Sequence, residues 1–351
     1  MTPLTTRTEH TTGIADTVGV ATLVGTVGEP VARERFGPGS SRTGRRGNWT
    51  WAAGPDACHA RHMTTVRTVA DGFSFLECPR WRGGRLWLSD FYSRRVIAVH
   101  ESGRVETITE VAGQPSGLGW LPDGRLLVVS MRDRRVLRRE PDGTLVEHAD
   151  LSELATGHLN DMLVDDAGRA YVGNFGFDLM SGAPLRTANL VRIDPDGTAS
   201  VAADDLAFPN GMALLDDGAT LVVSESFGNR LGGFTVGPDG ELTDRRDWAS
   251  FGPTPTSDDL GEVLASVSVV PDGMCAAPDD TVWVADADNH RAIRVAEGGK
   301  IVDEVSSGEL QVYACALGGA DGHTLFLCAA PSFAEHERRD TREAVLLATE
   351  V

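Results

Sequence analysis

The 351-residue sequence has no Cys-x-x-Cys pair and no thiols at metal-ligand spacing. Its five cysteines, Cys58, Cys78, Cys275, Cys315 and Cys328, are odd in number and scattered. That pattern argues against a disulfide framework and for reduced thiols in a cytoplasm. Excess positive charge is missing too. A formal net charge of −19 makes phosphate backbones and anionic membranes poor partners. No apolar run is long enough to span a bilayer. The patch at residues 18–27 lacks the basic start and cleavage site of a secretory signal. There is no Gly-x-Ser-x-Gly elbow and so no basis for a serine nucleophile. What remains is a cytoplasmic protein whose partner is a small molecule, with neither nucleic acid nor membrane involved.

Turn formers are abundant. Forty glycines and 17 prolines favour short strands over long helices, and a hydrophobic share of 41% supports a large core. One phrase recurs six times, a Gly- or Asp-rich turn followed by a short apolar strand. It reads Gly83-Gly84-Arg85-Leu86-Trp87-Leu88, Asp123-Gly124-Arg125-Leu126-Leu127-Val128 and Ala167-Gly168-Arg169-Ala170-Tyr171-Val172 in the first half. It returns as Asp217-Gly218-Ala219-Thr220-Leu221-Val222, Asp279-Asp280-Thr281-Val282-Trp283-Val284 and Gly322-His323-Thr324-Leu325-Phe326-Leu327. A second phrase follows several of these: a small or acidic residue, a turn, then a basic residue and an apolar strand. Ser89-Asp90 to Arg95 and Ser224-Glu225 to Arg230 are examples. Hairpin signals at Pro141-Asp142-Gly143, Pro195-Asp196-Gly197 and Pro238-Asp239-Gly240 complete the unit.

A period of roughly 40–60 residues with four strands per unit is that of a propeller blade. The sequence therefore predicts an all-β, six-bladed β-propeller over residues 63–351, with four antiparallel strands per blade. The last unit supplies three strands, near residues 313–317, 324–328 and 344–349. The missing outer strand is expected at residues 65–70, closing the ring from its N-terminal side. Residues 1–62, rich in Thr, Gly and Arg, read as a disordered extension with Met63 as a candidate start codon. Asn48-Trp49-Thr50 within it reads as a chance match to a glycosylation acceptor.

The first strand of each blade lines the central channel. About ten residues before each second-strand run, one phase reads Glu77, Ser116, Asn160, Asn210 and Asp272, with the sixth place near Tyr313. Asp272 sits in a Pro-Asp-Gly that looks like a turn, but its phase sets it apart from the four other Pro-Asp-Gly triplets. Converging carboxylate and carboxamide oxygens suit a hard divalent cation, Ca²⁺ before Mg²⁺, Mn²⁺ or Zn²⁺.

Glu77-Cys78-Pro79-Arg80-Trp81, Asn160-Asp161-Met162, Phe208-Pro209-Asn210-Gly211-Met212 and Pro271-Asp272-Gly273-Met274-Cys275 resemble, in order, the motifs of the senescence marker protein / gluconolactonase / regucalcin family. The resemblance spans about residues 68–351. It implies a six-bladed propeller with one divalent metal in its channel and a lactone hydrolase activity. By motif it makes Glu77, Asn210 and Asp272 metal ligands, Asn160 a further ligand or substrate contact, and Asp272 the general base. Animal members carry an arginine two residues before the second motif's asparagine. His158 stands there in this chain, which makes it a candidate substrate contact and opens the question of the sugar lactone. Hydrolysis of another ester, such as a phosphotriester, and a non-catalytic ligand-binding propeller are the competing readings. Residues 251–261 are expected to rim the pocket, and Trp81, Trp87, Trp120 and Trp283 to pack between strands.

Overall fold

A computed structural model describes residues 66–351. Six antiparallel sheets of four strands each follow one another along the chain. Their innermost strands are Leu76–Arg82, Pro115–Trp120, Leu159–Val164, Pro209–Leu215, Pro271–Ala276 and Gln311–Gly318, in blades one to six. Each packs against the inner strands of the adjacent blades, and the sixth returns to the first. The result is the six-bladed propeller that the repeat predicts.

Burial follows radial position. The second strands Leu126–Ser130 and Val282–Asp286 are buried throughout, as strands covered on both faces must be. The outer strand Val105–Glu110 is mostly exposed and carries two glutamates and two threonines. Trp283 is 1% exposed between blades, Trp81 stacks on Phe326, and Trp87 meets Trp120 edge-on. These tryptophans pack blade on blade, as expected.

The three outer Pro-Asp-Gly triplets are hairpin turns, each with its glycine at positive φ, near 91° for Gly143 and 93° for Gly197. In two of them the aspartate accepts from the backbone two residues on, Asp142 Oδ1 from Thr144 N at 2.9 Å and Asp196 Oδ1 from Thr198 N at 2.9 Å. Pro271-Asp272-Gly273 is instead part of an inner strand. The phase separated one triplet from its look-alikes correctly.

The second phrase proves to be a positioning device. Asp90, Glu225 and Asp286 end second strands and are fully buried. Each is paired with the arginine that opens the next strand: Arg95 at 3.0 Å, Arg230 at 2.9 Å and Arg291 at 3.0 Å. Each also accepts a backbone N–H from the segment leading into an inner strand, from Ser74, Ala207 and Val270. These charge-assisted bonds fix the entry to the inner strand. The serine beside the acid reaches the neighbouring blade. Ser89 Oγ donates to the Ser116 carbonyl at 2.6 Å, and Ser224 Oγ to the Asp272 carbonyl at 2.7 Å.

Ring closure follows the expected plan with a longer strand. Arg67–Phe73 pairs antiparallel with Ala344–Glu350 and completes the sixth blade. The expected strand at 65–70 begins outside the described residues, as do Met63 and the 1–62 segment. Among the described residues two short α-helices, Leu260–Ser266 and Glu335–Arg338, interrupt the all-β pattern. Among the described residues no helix is long and apolar enough to cross a membrane.

Candidate metal centre and its pocket

Antiparallel pairing places the start of every inner strand beside the end of the second strand, at one mouth of the channel. Glu77, Asn160, Asn210 and Asp272 are each the second residue of their inner strand. They are only 6–9% exposed, yet all four line one pocket. A register shift just beyond each of them leaves an extra residue in the inner strand. Such bulges re-aim a side chain out of the pleat.

The sixth place is Tyr313. A Cβ on Gly211, next to Asn210, would lie 2.7 Å from Gly273 Cα, and one on Gly273, next to Asp272, would meet Ala314. The same neighbour relation puts Tyr313, which lines the pocket, at the site level of blade six. In blade two Ser116 is buried with its carbonyl held by Ser89.

The two carboxylates disfavour each other. Burial first, and then the Asp272 and Asp161 charges, push Glu77 well above the usual carboxylate range. Burial and Asp161 do the same to Asp272, against smaller opposing pulls from the Gly273 N–H and the Asn210 side chain. Asp272 Oδ1 is buried and meets no hydrogen-bond donor among the described residues. A buried, unpartnered carboxylate oxygen costs free energy unless a cation or donor arrives. Among the described residues no three His, Cys, Asp or Glu side chains are grouped as a metal cluster. The oxygen set is two carboxylates with two carboxamides.

One stability consequence follows for the cation-free protein. At pH values between the ordinary carboxylate range and the raised folded-state values, the native state holds more protons than the unfolded chain. The stabilisation by these two groups is therefore complete below that range and is lost as pH rises through the folded-state values. The melting temperature of the parent, relative to a Glu77→Gln/Asp272→Asn double variant, should fall as pH is raised from about 4 towards neutrality. A parent that gains on the double variant over that interval would contradict the assignment.

Arg80 pairs with Asp161 at 2.8 Å and donates to the Met162 carbonyl at 2.9 Å. Burial, then the Asp161 charge, push the Cys78 thiol well above its usual value, so it stays protonated and donates to Asp161 Oδ1 at 2.7 Å.

His158 takes a different place. It lines an adjoining cavity with Gln114 and Arg132, sharing Phe91, Phe175 and Met180 with the main pocket. Burial, then Arg132, hold its imidazole below the usual value. The structure thus brings together Glu77, Asn160, Asn210 and Asp272 and sets His158 apart from them. Of residues 251–261 only Leu260 lines the main pocket, joined by Leu264 from the same short helix. The Asp259 side chain caps this helix, accepting from Glu262 N at 3.0 Å.

Of an upper tier of residues only His158 is singled out in the sequence. Two residues before each site position stand Phe75, Gln114, His158, Phe208, Val270 and Gln311, and all six line one of the two cavities. Alternate residues share a face, so the same phase shifted by two was the available signal. The turns after the second strands add Phe91, Tyr92, Phe175, Phe227 and Ala287.

Residues 75–331 match the SMP-30/Gluconolactonase/LRE-like region family. The pentonolactonase XacC of Haloferax volcanii is 25% identical over 272 residues, covering 76% of this chain and 86% of that protein. The 6-deoxy-6-sulfogluconolactonase of Pseudomonas putida is 26% identical over 260 residues, covering 72% and 81%. The solved structure of a gluconolactonase from Xanthomonas campestris superposes with a TM-score of 0.64 over 82% of this chain and 89% of its own, at 22% identity. That last likeness is one of fold.

Proposed function

The chain belongs to the SMP-30/gluconolactonase/LRE-like family, and from that premise we propose that it opens a lactone to its hydroxy acid in the inner-strand pocket. It is a hydrolase of ester bonds, as the lactonases similar to it are named. The observation that carries the reading is the convergence of Glu77, Asn160, Asn210 and Asp272 on one pocket, with Asp272 Oδ1 unpartnered among the described residues.

This donor set fits a hard divalent cation, Ca²⁺ before Mg²⁺, Mn²⁺ or Zn²⁺, because every donor is oxygen and, among the described residues, no thiolate or imidazole lines the pocket. Glu77, Asn210 and Asp272 would hold it, with Asn160 as a further ligand or a substrate contact. When bound, such an ion supplies Lewis-acid polarisation of the ester carbonyl. Asp272 then takes a proton from the attacking water. The hydroxyl adds to the carbonyl carbon, the ring acyl–oxygen bond breaks, and the proton held on Asp272 passes to the departing alkoxide. Asn160 orients the ester. Ser224, by holding the Asp272 carbonyl, keeps the base in register with the neighbouring blade.

Stripping divalent cations should lower the hydrolysis of a lactone panel by at least ~100-fold, and adding one cation back should restore it. Equal rates for stripped and reconstituted protein would defeat the reading.

A further inference from the structure

The pocket above the four polar groups is walled by aromatic rings on opposite sides of the ring of blades. Blades six and one contribute Phe75, Phe91, Tyr92 and Tyr313, with Phe75 and Tyr313 centroids 4.7 Å apart. Blades three and four contribute Phe175, Phe208 and Phe227, with Phe208 lying 4.7 Å from each of the other two. Leu260, Leu264 and Val270 close the side from blade five and the helix before it, and Phe333 leans over Tyr313 at 6.5 Å. The space inside the pocket is about 130 Å³, and about 790 Å³ when counted out into the solvent at its open mouth.

Polar groups that could greet a substrate above the base are few. The Tyr92 hydroxyl already donates to the Phe333 carbonyl at 2.6 Å, and the Tyr313 hydroxyl donates to Gln311 Oε1. Ser226 Oγ donates to the Pro271 carbonyl at 2.8 Å. That leaves the Gln311 amide and Asp288, which lies at the exposed mouth. No Lys, Arg or His lines the pocket among the described residues. A phosphorylated, sulfonated or carboxylated lactone would find no cation on the walls of the main pocket among the described residues and a carboxylate at its entrance, Arg132 and His158 belonging to the adjoining cavity. A polyhydroxylated lactone could donate to the Tyr92, Tyr313 and Ser226 oxygens but would find few donors for its own hydroxyl oxygens, and buried groups left short of partners weaken binding.

We infer that the substrate is a neutral lactone with an apolar body, alkyl or aryl, seated between the two aromatic walls with its ester group down on Glu77, Asn160, Asn210 and Asp272. This rests on the lactonase reading and narrows it away from sugar lactones. The apolar body gains from leaving water, and the flat walls favour a planar or extended substituent.

The test is a comparison of kcat/KM for the cation-loaded protein on δ-valerolactone, δ-octalactone, δ-decalactone and D-glucono-1,5-lactone. Binding of the matching non-hydrolysable δ-lactams is measured in parallel by calorimetry. The expected rise is about fourfold per added methylene until the pocket is filled. D-Glucono-1,5-lactone should fall at least ~100-fold below δ-decalactone. A sugar lactone turned over as well as the alkyl series would overturn the apolar assignment and leave lactone hydrolysis standing. If no lactone is opened but lactam affinity climbs with chain length, the hydrolysis reading falls and the pocket's selectivity stands. If neither turnover nor chain-length-dependent binding is seen, both fall.

Discussion

Asp272→Asn is expected to give a folded protein whose kcat is lower by ~10³-fold or more. In cation-free buffer it should also melt at a higher temperature than the parent. The two effects share one cause. Asn keeps the shape and the backbone bonds of this position, including the Ser224 hydroxyl on its carbonyl, so the inner strand keeps its place. What disappears is a basic oxygen and a charge. Without the basic oxygen the attacking water has no acceptor for its proton. Removing the charge relieves the protein of a carboxylate that burial and Asp161 hold well above its ordinary range, and that in turn raises Glu77. A residue placed for stability would show the reverse, little lost activity and a lower melting temperature. Circular dichroism melts and steady-state rates on a cleaved lactone decide it. An unchanged kcat would remove Asp272 from the chemistry.

Gly211→Ala should be the most damaging single-methyl change near the site. An added Cβ would lie 2.5 Å from Met274 N, 2.6 Å from Asp272 O and 2.7 Å from Gly273 Cα. All three are backbone atoms of the neighbouring inner strand, so no side chain can turn aside to make room. The strand carrying Asp272 must shift instead. Overpacking of this kind costs about 1–3 kcal/mol, measurable as a lower urea midpoint. Asn210 and Asp272 flank the contact, so activity should fall further than lost stability explains, with ~100-fold weaker kcat/KM at temperatures where the variant remains folded. A variant with normal rates would mean that the two strands can separate without disturbing the site.

The propeller was legible because its signals are local. A Pro-Asp-Gly turn needs only its own glycine at positive φ and its own aspartate accepting from the backbone N–H two residues on, so Pro141-Asp142-Gly143 announces itself. The four polar positions were legible through repetition, which turns an ambiguous Asp272 into one of a set. The aromatic walls were harder. Phe75 and Phe208 share the phase of the site residues, two places upstream, but an isolated phenylalanine in a strand usually signals core. Phe227 and Phe333 come from turns whose approach to the channel depends on blade geometry. The helix Leu260–Ser266 is too short for a periodic pattern and rests on the Asp259 cap and the burial of Val263. His158 illustrates the limit of phase alone. It sits two residues before Asn160, as Phe208 sits two before Asn210, yet opens onto the cavity shared with Arg132.

The closing blade also has a mechanical meaning. Arg67 lies beside Ala348 and Phe73 beside Ala344, so the strands that meet there have their outward-leading ends at the same end of one ribbon. A load applied between those ends would open the ladder one bond at a time, as a zipper opens, instead of shearing all of them together. The seam that closes the ring is therefore one that a pull on the two strand ends unzips. Once Arg67–Phe73 peels away, Ala344–Glu350 becomes a bare sheet edge.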